Sequence, residues 1–417
     1  MISFEPTEDQ KMMVESVASF ARSTLRPRVR EFEKERAIPE GVRKTAHELG
    51  LGLVAIPESA GGAGLGMTTA VLLEEEVANG DPAAAFGFGG PGAFGFAVTE
   101  LGTPEQAKAA LEIFTSADGH SKFGAVAWGE PKPNKDRPGL SATATKSGDG
   151  WTIDGTKAYV VNADRADRFV VFAQVDASAG WRGVGAFLVD KGAKGLTVLE
   201  RDTTLGLDVA SFGGLRLEGV VVDDTARLLG NGSFDSALVR FFARQALVVA
   251  ARGIGLSRAA FDLTREYVDT RKAFGKPIGH FQAVAFTVAD RAMDVDAGRG
   301  LLWRASAAWE AFDGASSEAS AKDKARLENE ALLRSAHAVA FAHEAAMRCG
   351  DDGVQLHGGN GFIRDYLVEK LMRDAKQIGL CAMTAEQADQ LAGAITLGLP
   401  IDPGLVLPTA ETQSAFV

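Results

Sequence analysis

The sequence predicts an α+β chain in three parts: an N-terminal helical domain, a central β-domain and a C-terminal four-helix bundle. Three observations predict it. Apolar residues recur at helical spacing up to about residue 120, fall into short runs between glycine- and aspartate-rich turns from Lys122 to Gly232, and return to helical spacing in long segments from Phe234. The expected boundaries are 1–120, 121–232 and 233–399, with an irregular tail at 400–417 to which the sequence assigns no role. At 417 residues, 46% hydrophobic and 24% charged, the chain is long enough for several cores, and its composition excludes a disordered or collagenous protein.

Thr7, with Gln10 three residues on, forms a capping-box pattern, and Met13, Val17 and Phe20 then share one helical face up to the interruption at Pro27. A second periodic run spans Gly41 to Leu51, the glycine-rich stretch 60–66 reads as a loop, and Met67 to Asn79 is again helical. The triplet Glu74-Glu75-Glu76 near the end of that helix reads as a solvated face. In the middle section, Arg168 to Ala173 and Gly219 to Val222 fit buried strands of a sandwich or barrel. Four long helices are then expected over roughly 234–270, 281–312, 318–349 and 368–397, with Glu318 to Arg326 as a wet face.

A net charge of −11 argues against binding a phosphate backbone, which needs a clustered positive field, so no nucleic-acid partner is expected. No apolar run approaches the ~18 residues of a membrane span, and the first residues lack a signal-peptide pattern. Two cysteines, Cys349 and Cys381, exclude a disulfide scaffold and a four-cysteine metal site; no metal is expected, and the cytoplasm is the expected compartment.

Two C-terminal segments are more specific than composition. The first runs from Arg271 through Phe274 and Gly275 to Gln282; the second runs from Gln355 through His357, Gly358 and Gly359 to Phe362, and continues through Glu369 to Lys376. Arg271 offers a rigid five-donor fork suited to a pyrophosphate, Phe274 a ring face, Gln282 a two-way amide, and the glycine pair close backbone approach. His357 beside the glycines reads as a packing residue. With the helix, β-domain, helix order, these segments strongly resemble the acyl-CoA dehydrogenase family over nearly the whole chain. The resemblance implies an acyl-CoA dehydrogenase-like fold, FAD as cofactor, an acyl-CoA or related acyl-carrier thioester as substrate, and a homo- or hetero-oligomer with each flavin lying between two subunits. It also implies that Arg271, Phe274, Gln282, Gln355, Gly358 and Gly359 serve the adenine and pyrophosphate half of a neighbour's FAD, and that the aromatic Tyr159 covers a flavin face.

The pattern breaks where the resemblance would place the flavin ring and the base. Gly129 stands at a threonine position and Asn134-Lys135 at a glycine-serine pair; Val161 stands where a threonine would hydrogen-bond flavin N5. Lys135 reads as a solvated loop residue, and Glu130 as a group that orients backbone. The base must be a carboxylate within reach of the substrate α carbon, yet the two positions at which the family carries it hold Ala382 and Gln245. The family's adjacent arginine corresponds to Ala246, with Arg244 as a substitute; Glu386 reads as a helix-surface residue and Cys381 as an inert buried thiol.

The pattern favours a divergent member without the usual glutamate, acting as a non-catalytic or donor subunit of a heteromeric FAD-dependent acyl-CoA dehydrogenase. Against it stand a homomeric flavoenzyme with altered chemistry, such as a desulfinase-like elimination or an oxygenation, and a flavin-free structural or regulatory relative.

Overall fold

The computed structural model describes residues 6–230, 232–315 and 319–405. The expected capping box starts α1 (Glu8–Phe20): Gln10 N donates to Thr7 Oγ1 at 3.2 Å, and Thr7 N donates to Gln10 Oε1 at 2.9 Å. Pro27 lies in a tight turn between α1 and α2 (Val29–Glu35), followed by α3 (Glu40–Glu48), α4 (Gly66–Gly80), α5 (Ala84–Gly87), α6 (Ala93–Leu101) and α7 (Pro104–Thr115). The faces bearing Val17, Phe20, Phe32 and Val42 share one core with Leu207, Val209 and Phe212 of the middle section, so the helical layer is seated on the sheet.

Eight strands follow: β1 (Gly124–Ala127), β2 (Thr143–Ser147), β3 (Gly150–Val161), β4 (Arg168–Gln174), β5 (Val184–Asp190), β6 (Leu196–Val198), β7 (Phe212–Asp223) and β8 (Arg227–Leu228). They form one sheet in the order β6-β7-β3-β2-β4-β5-β8, with β1 beside β4, rather than a sandwich of two sheets or a closed barrel. The reason is that β6 and β8 end the path without pairing with each other, while the sheet wraps its own core of Trp151, Ile153, Phe169, Phe187 and Leu215. The β3–β7 register shifts between Lys157 and Val160, and there Tyr159 takes a positive φ of 58°.

Past the sheet, α8 (Phe234–Thr270) leads into a short hairpin of β9 (Lys272–Ala273) and β10 (Lys276–Pro277), then α9 (Gln282–Asp313), α10 (Ala321–His357), α11 (Val368–Ile378) and α12 (Ala385–Leu397). Two expectations change. The third long helix runs on to His357, where Gly358 ends it at φ 56°, and the fourth is two helices. The break comes because Thr384 starts α12 with its own capping box: Gln387 N donates to Thr384 Oγ1 at 3.3 Å. Glu318 and Asn231 fall outside the described residues, and the tail is described only as far as Leu405, which is buried in the bundle core beside Ile401.

The α4–α8 contact positions the interior of the molecule. A Cβ on Gly255 would lie 2.3 Å from the Glu75 carbonyl oxygen, so glycine alone lets α8 lie directly on the α4 backbone. That approach brings the Glu74–Glu76 segment against α8, and the triplet is not a solvated face. Glu75 is 1% exposed and bonds Arg258 and Arg299, Glu76 bonds Arg258, and Glu74 bonds Arg252. Arginines on α8 and α9 supply the countercharge that lets three adjacent carboxylates leave water.

Candidate functional site

Two hollows hold most of the residues singled out in the sequence. The first is an open cleft of about 530 Å³ at one end of the bundle, walled by Arg271, Phe274, Gln355, His357, Gly358 and Gly359 among others. Phe274 and Gly275 form the two-residue turn between β9 and β10 with φ of 50° and 84°. That turn holds the Phe274 ring 96% exposed, edge-on to Phe281 at 6.2 Å. Arg271 ends α8; among the described residues its guanidinium has no hydrogen-bond or ion-pair partner. A Cβ on Gly358 or Gly359 would meet nothing within 4 Å, which leaves the backbone there open to a ligand.

Behind this rim ring stacking and hydrogen bonds tie the cleft together. His357 is buried, stacks on Tyr267 with ring centroids 4.1 Å apart, and holds the Gly353 carbonyl at 2.7 Å through Nδ1. Burial lowers its pKa, so it stays neutral and packs as expected. Asn360 Nδ2 donates to Tyr267 Oη at 3.0 Å, tying the glycine turn to α8. Gln282 stands apart from the other expected residues: it is the exposed first residue of α9 and does not line the cleft.

The second hollow is an inner cavity of about 100 Å³ where α4, the α5–α6 region, β3 and α8 meet. Its wall is mostly apolar, with Leu51, Val54, Leu73, Phe86, Phe96, Val161, Val248 and Val249, and includes Gln245 and Cys381. The two expected base positions therefore converge on one space, Gln245 lining it and Ala382 following the lining residue Cys381. No carboxylate stands at either. Burial pushes the Cys381 thiol up to about 12, and its Sγ donates to Gln377 O at 3.3 Å, so it is not a nucleophile at neutral pH. Glu386 is exposed in the first turn of α12.

Arg244 does not take the place of the missing arginine. It is buried on another side of α8, over Trp309 at 3.9 Å and bonded to Glu100 and Asp313. The arginine at the cavity is Arg252, absent from the sequence-based expectations, and it pairs with Glu74, which those expectations put on a solvated face. The signals were present: Arg252 interrupts an apolar stretch from Ala246 to Leu256, and Glu74 shares a helical face with Ala70 and Val77.

Tyr159 lines neither hollow. It is 68% exposed on β3, and a Cβ on Gly129 would lie 3.6 Å from its Cδ2, so ring and loop are neighbours. Lys157 fixes this region: fully buried, it donates to Trp128 O at 3.1 Å and to Glu130 Oε1 at 3.0 Å. Glu130 also accepts from Ser141 N at 2.7 Å and Ala142 N at 2.8 Å, orienting backbone as expected. Desolvation lowers the Lys157 pKa to about 8 despite that partner. Lys135 is exposed in the same loop.

Comparison with known proteins decides the family. The acyl-CoA dehydrogenase N-terminal, middle and C-terminal domains match residues 7–118, 125–220 and 234–381. The mitochondrial short-chain specific acyl-CoA dehydrogenase of Sus scrofa is 30% identical over 391 residues, covering 92% of this chain and 89% of that protein. The chain belongs to the acyl-CoA dehydrogenase family.

Cyclohex-1-ene-1-carbonyl-CoA dehydrogenase of Geobacter metallireducens, another acyl-CoA dehydrogenase homologue, is 30% identical over 370 residues, covering 89% of this chain and 93% of that protein. Among solved structures, butyryl-CoA dehydrogenase from Megasphaera elsdenii superposes with a TM-score of 0.82 at 26% identity, covering 95% of this chain and all of that one. The acyl-CoA dehydrogenase fold, with its helical, β and helical parts in that order, is thus the fold of this chain. Among the described residues no helix is long and apolar enough to cross a membrane, and no group of His, Cys, Asp and Glu could hold a metal.

Proposed function

We propose that this chain is an FAD-binding subunit of an acyl-CoA dehydrogenase assembly, that it holds the adenine and pyrophosphate half of a flavin shared with a neighbouring subunit, and that it supplies no α-proton base. The observation that carries this reading is the cleft rim, where a guanidinium with no partner among the described residues, an exposed ring and an open glycine backbone are held on a hydrogen-bonded, ring-stacked base. Groups of that kind fit a dianionic pyrophosphate with an attached adenine: Arg271 provides a charged fork, Phe274 a face, and the Gly358-Gly359 backbone close approach. Gln355 adds an exposed amide on the last turn of α10. Gln282 and Tyr159 belong to this reading only as residues completed by a neighbour.

Fit is poorer for the isoalloxazine half. Gly129 and Val161 offer no side-chain hydroxyl, and an apolar side chain cannot hydrogen-bond the ring. FAD, when bound, supplies the acceptor for a hydride from the β carbon of an acyl thioester. The matching proton at the α carbon needs a carboxylate. Gln245 and Ala382 cannot take it, and the Glu74 carboxylate is held by both of its oxygens on Arg252. A second family subunit carrying the base then completes the site, which makes the assembly heteromeric.

One observation favours the alternative of a single-chain enzyme with altered chemistry: the inner cavity is present and carries the polar side chains of Glu74, Gln245 and Arg252 on its wall. The two readings separate on the FAD-to-subunit ratio of the chain purified without a partner, measured by absorbance before and after denaturation. A ratio near zero that rises on co-expression with a glutamate-bearing relative is expected. A full complement of flavin, bleached by an acyl-CoA, would overturn the heteromeric reading.

A further inference from the structure

The inner cavity contains a charge pair that its packing does not require. Arg252 lies seven residues beyond Gln245 on α8, two turns or about 10.5 Å, so the two side chains leave the same helical face. Glu74 meets Arg252 from α4 in a two-pronged pair, Nε to Oε2 at 2.8 Å and Nη2 to Oε1 at 3.1 Å. The side chains are 11% and 14% exposed, and the Phe86 ring lies 4.4 Å from the guanidinium carbon. Removing two such ions from water costs several kcal/mol per ion, and apolar residues of similar volume commonly serve stability equally well.

What the pair adds is hydrogen-bonding capacity facing an apolar space. With Nε and Nη2 engaged, Nη1 keeps its N–H donors, and each carboxylate oxygen keeps a lone pair. Gln245 brings a donor and an acceptor that have no partner among the described residues. The charges of the pair cancel. A third charge in the cavity would be left uncompensated, whereas a neutral donor or acceptor would be satisfied.

We propose that the Glu74–Arg252 pair makes this cavity selective for short acyl thioesters whose acyl group carries a neutral hydrogen-bonding substituent, a hydroxyl or keto group, over plain alkyl groups of the same length. The volume of about 100 Å³ and the apolar wall of Leu73, Phe86, Phe96 and Val248 suit a small acyl group. The inference goes beyond the flavin-holding role proposed above: it requires that the inner cavity itself receives the acyl group, whichever subunit carries the base. It assigns Glu74 and Arg252 to specificity and not to proton transfer.

The test is calorimetric titration of the full-length, FAD-supplemented protein with butyryl-CoA and with 3-hydroxybutyryl-CoA, which needs no turnover. At least about tenfold tighter binding of the hydroxyacyl thioester is expected. In the double variant Glu74→Leu/Arg252→Met, which leaves no orphan charge, that preference falls below about twofold while butyryl-CoA binds as before or more tightly. Should the double variant fail to fold by circular dichroism, Arg252→Lys, which keeps the charge and loses the fork, reads the same preference and reduces it about fivefold. Equal affinities in the unaltered protein, or a preference that survives in the variants, overturn the proposal and leave the pocket standing. Binding of neither thioester overturns the pocket itself, and the proposal with it.

Discussion

The open cleft and the inner cavity treat their arginines in opposite ways. At the rim Arg271 stands exposed, without a partner among the described residues, beside a ring that is 96% exposed, whereas inside the molecule Arg252 is matched oxygen for nitrogen by Glu74. An unpaired cation at a surface adds little to folding and is free to meet a ligand anion. A paired cation in the interior is bound into the fold itself, and only its spare N–H groups remain for recognition. The contrast teaches that the two hollows should fail differently when mutated: one in affinity alone, the other in stability first.

The largest expected effect breaks the inner pair. Arg252→Ala leaves the Glu74 carboxylate without its partner, and unfolding by urea should show a loss of about 3–5 kcal/mol. Arg271→Ala should leave that unfolding curve within about 0.5 kcal/mol of the parent, yet weaken FAD retention by the assembled protein by about 1.5–3 kcal/mol, the range of a charge-assisted contact. If both variants destabilise equally, the contrast is wrong. A smaller effect concerns His343 on α10, buried against Gly379 with no partner for either ring nitrogen among the described residues. Burial lowers its pKa to about 4, so between about 6.5 and 4 the unfolded chain binds a proton that the folded chain refuses. Stability therefore falls as pH drops through that window, and His343→Leu should remove about 1–2 kcal/mol of the acid-side loss by pH 5, measured by denaturation at pH 7.5 and pH 5. Phe274→Ala is the mildest: stability unchanged and FAD affinity lowered about fivefold, followed by fluorescence titration.

How legible these regions were depended on whether local patterns carried them. The Thr7 and Gln10 cap, the strand content of the middle section and the Arg271 to Gln282 segment are written in adjacent residues, and the structure places Arg271 and Phe274 of that segment at one cleft. The split of the last helix was also written locally, in Thr384 and Gln387, but the apolar periodicity on both sides obscured it. Glu74 misled for a different reason. An acidic triplet looks solvated until three arginines, from 178 positions downstream and beyond, are folded against it. Sheet closure was equally illegible, because it depends on whether β6 and β8 meet each other and not on the sequence of either.

Gly255 touches neither hollow, yet it fixes the separation of the two helices that carry Glu74 and Arg252. The backbone of α4 rests on it as a shaft rests on a bearing seat, with a clearance that even one methyl group would exceed. If the inner cavity is the acyl pocket proposed above, the determinants of what it accepts extend to a residue no ligand can reach. Swapping wall residues between relatives would transplant the lining and leave the gauge behind.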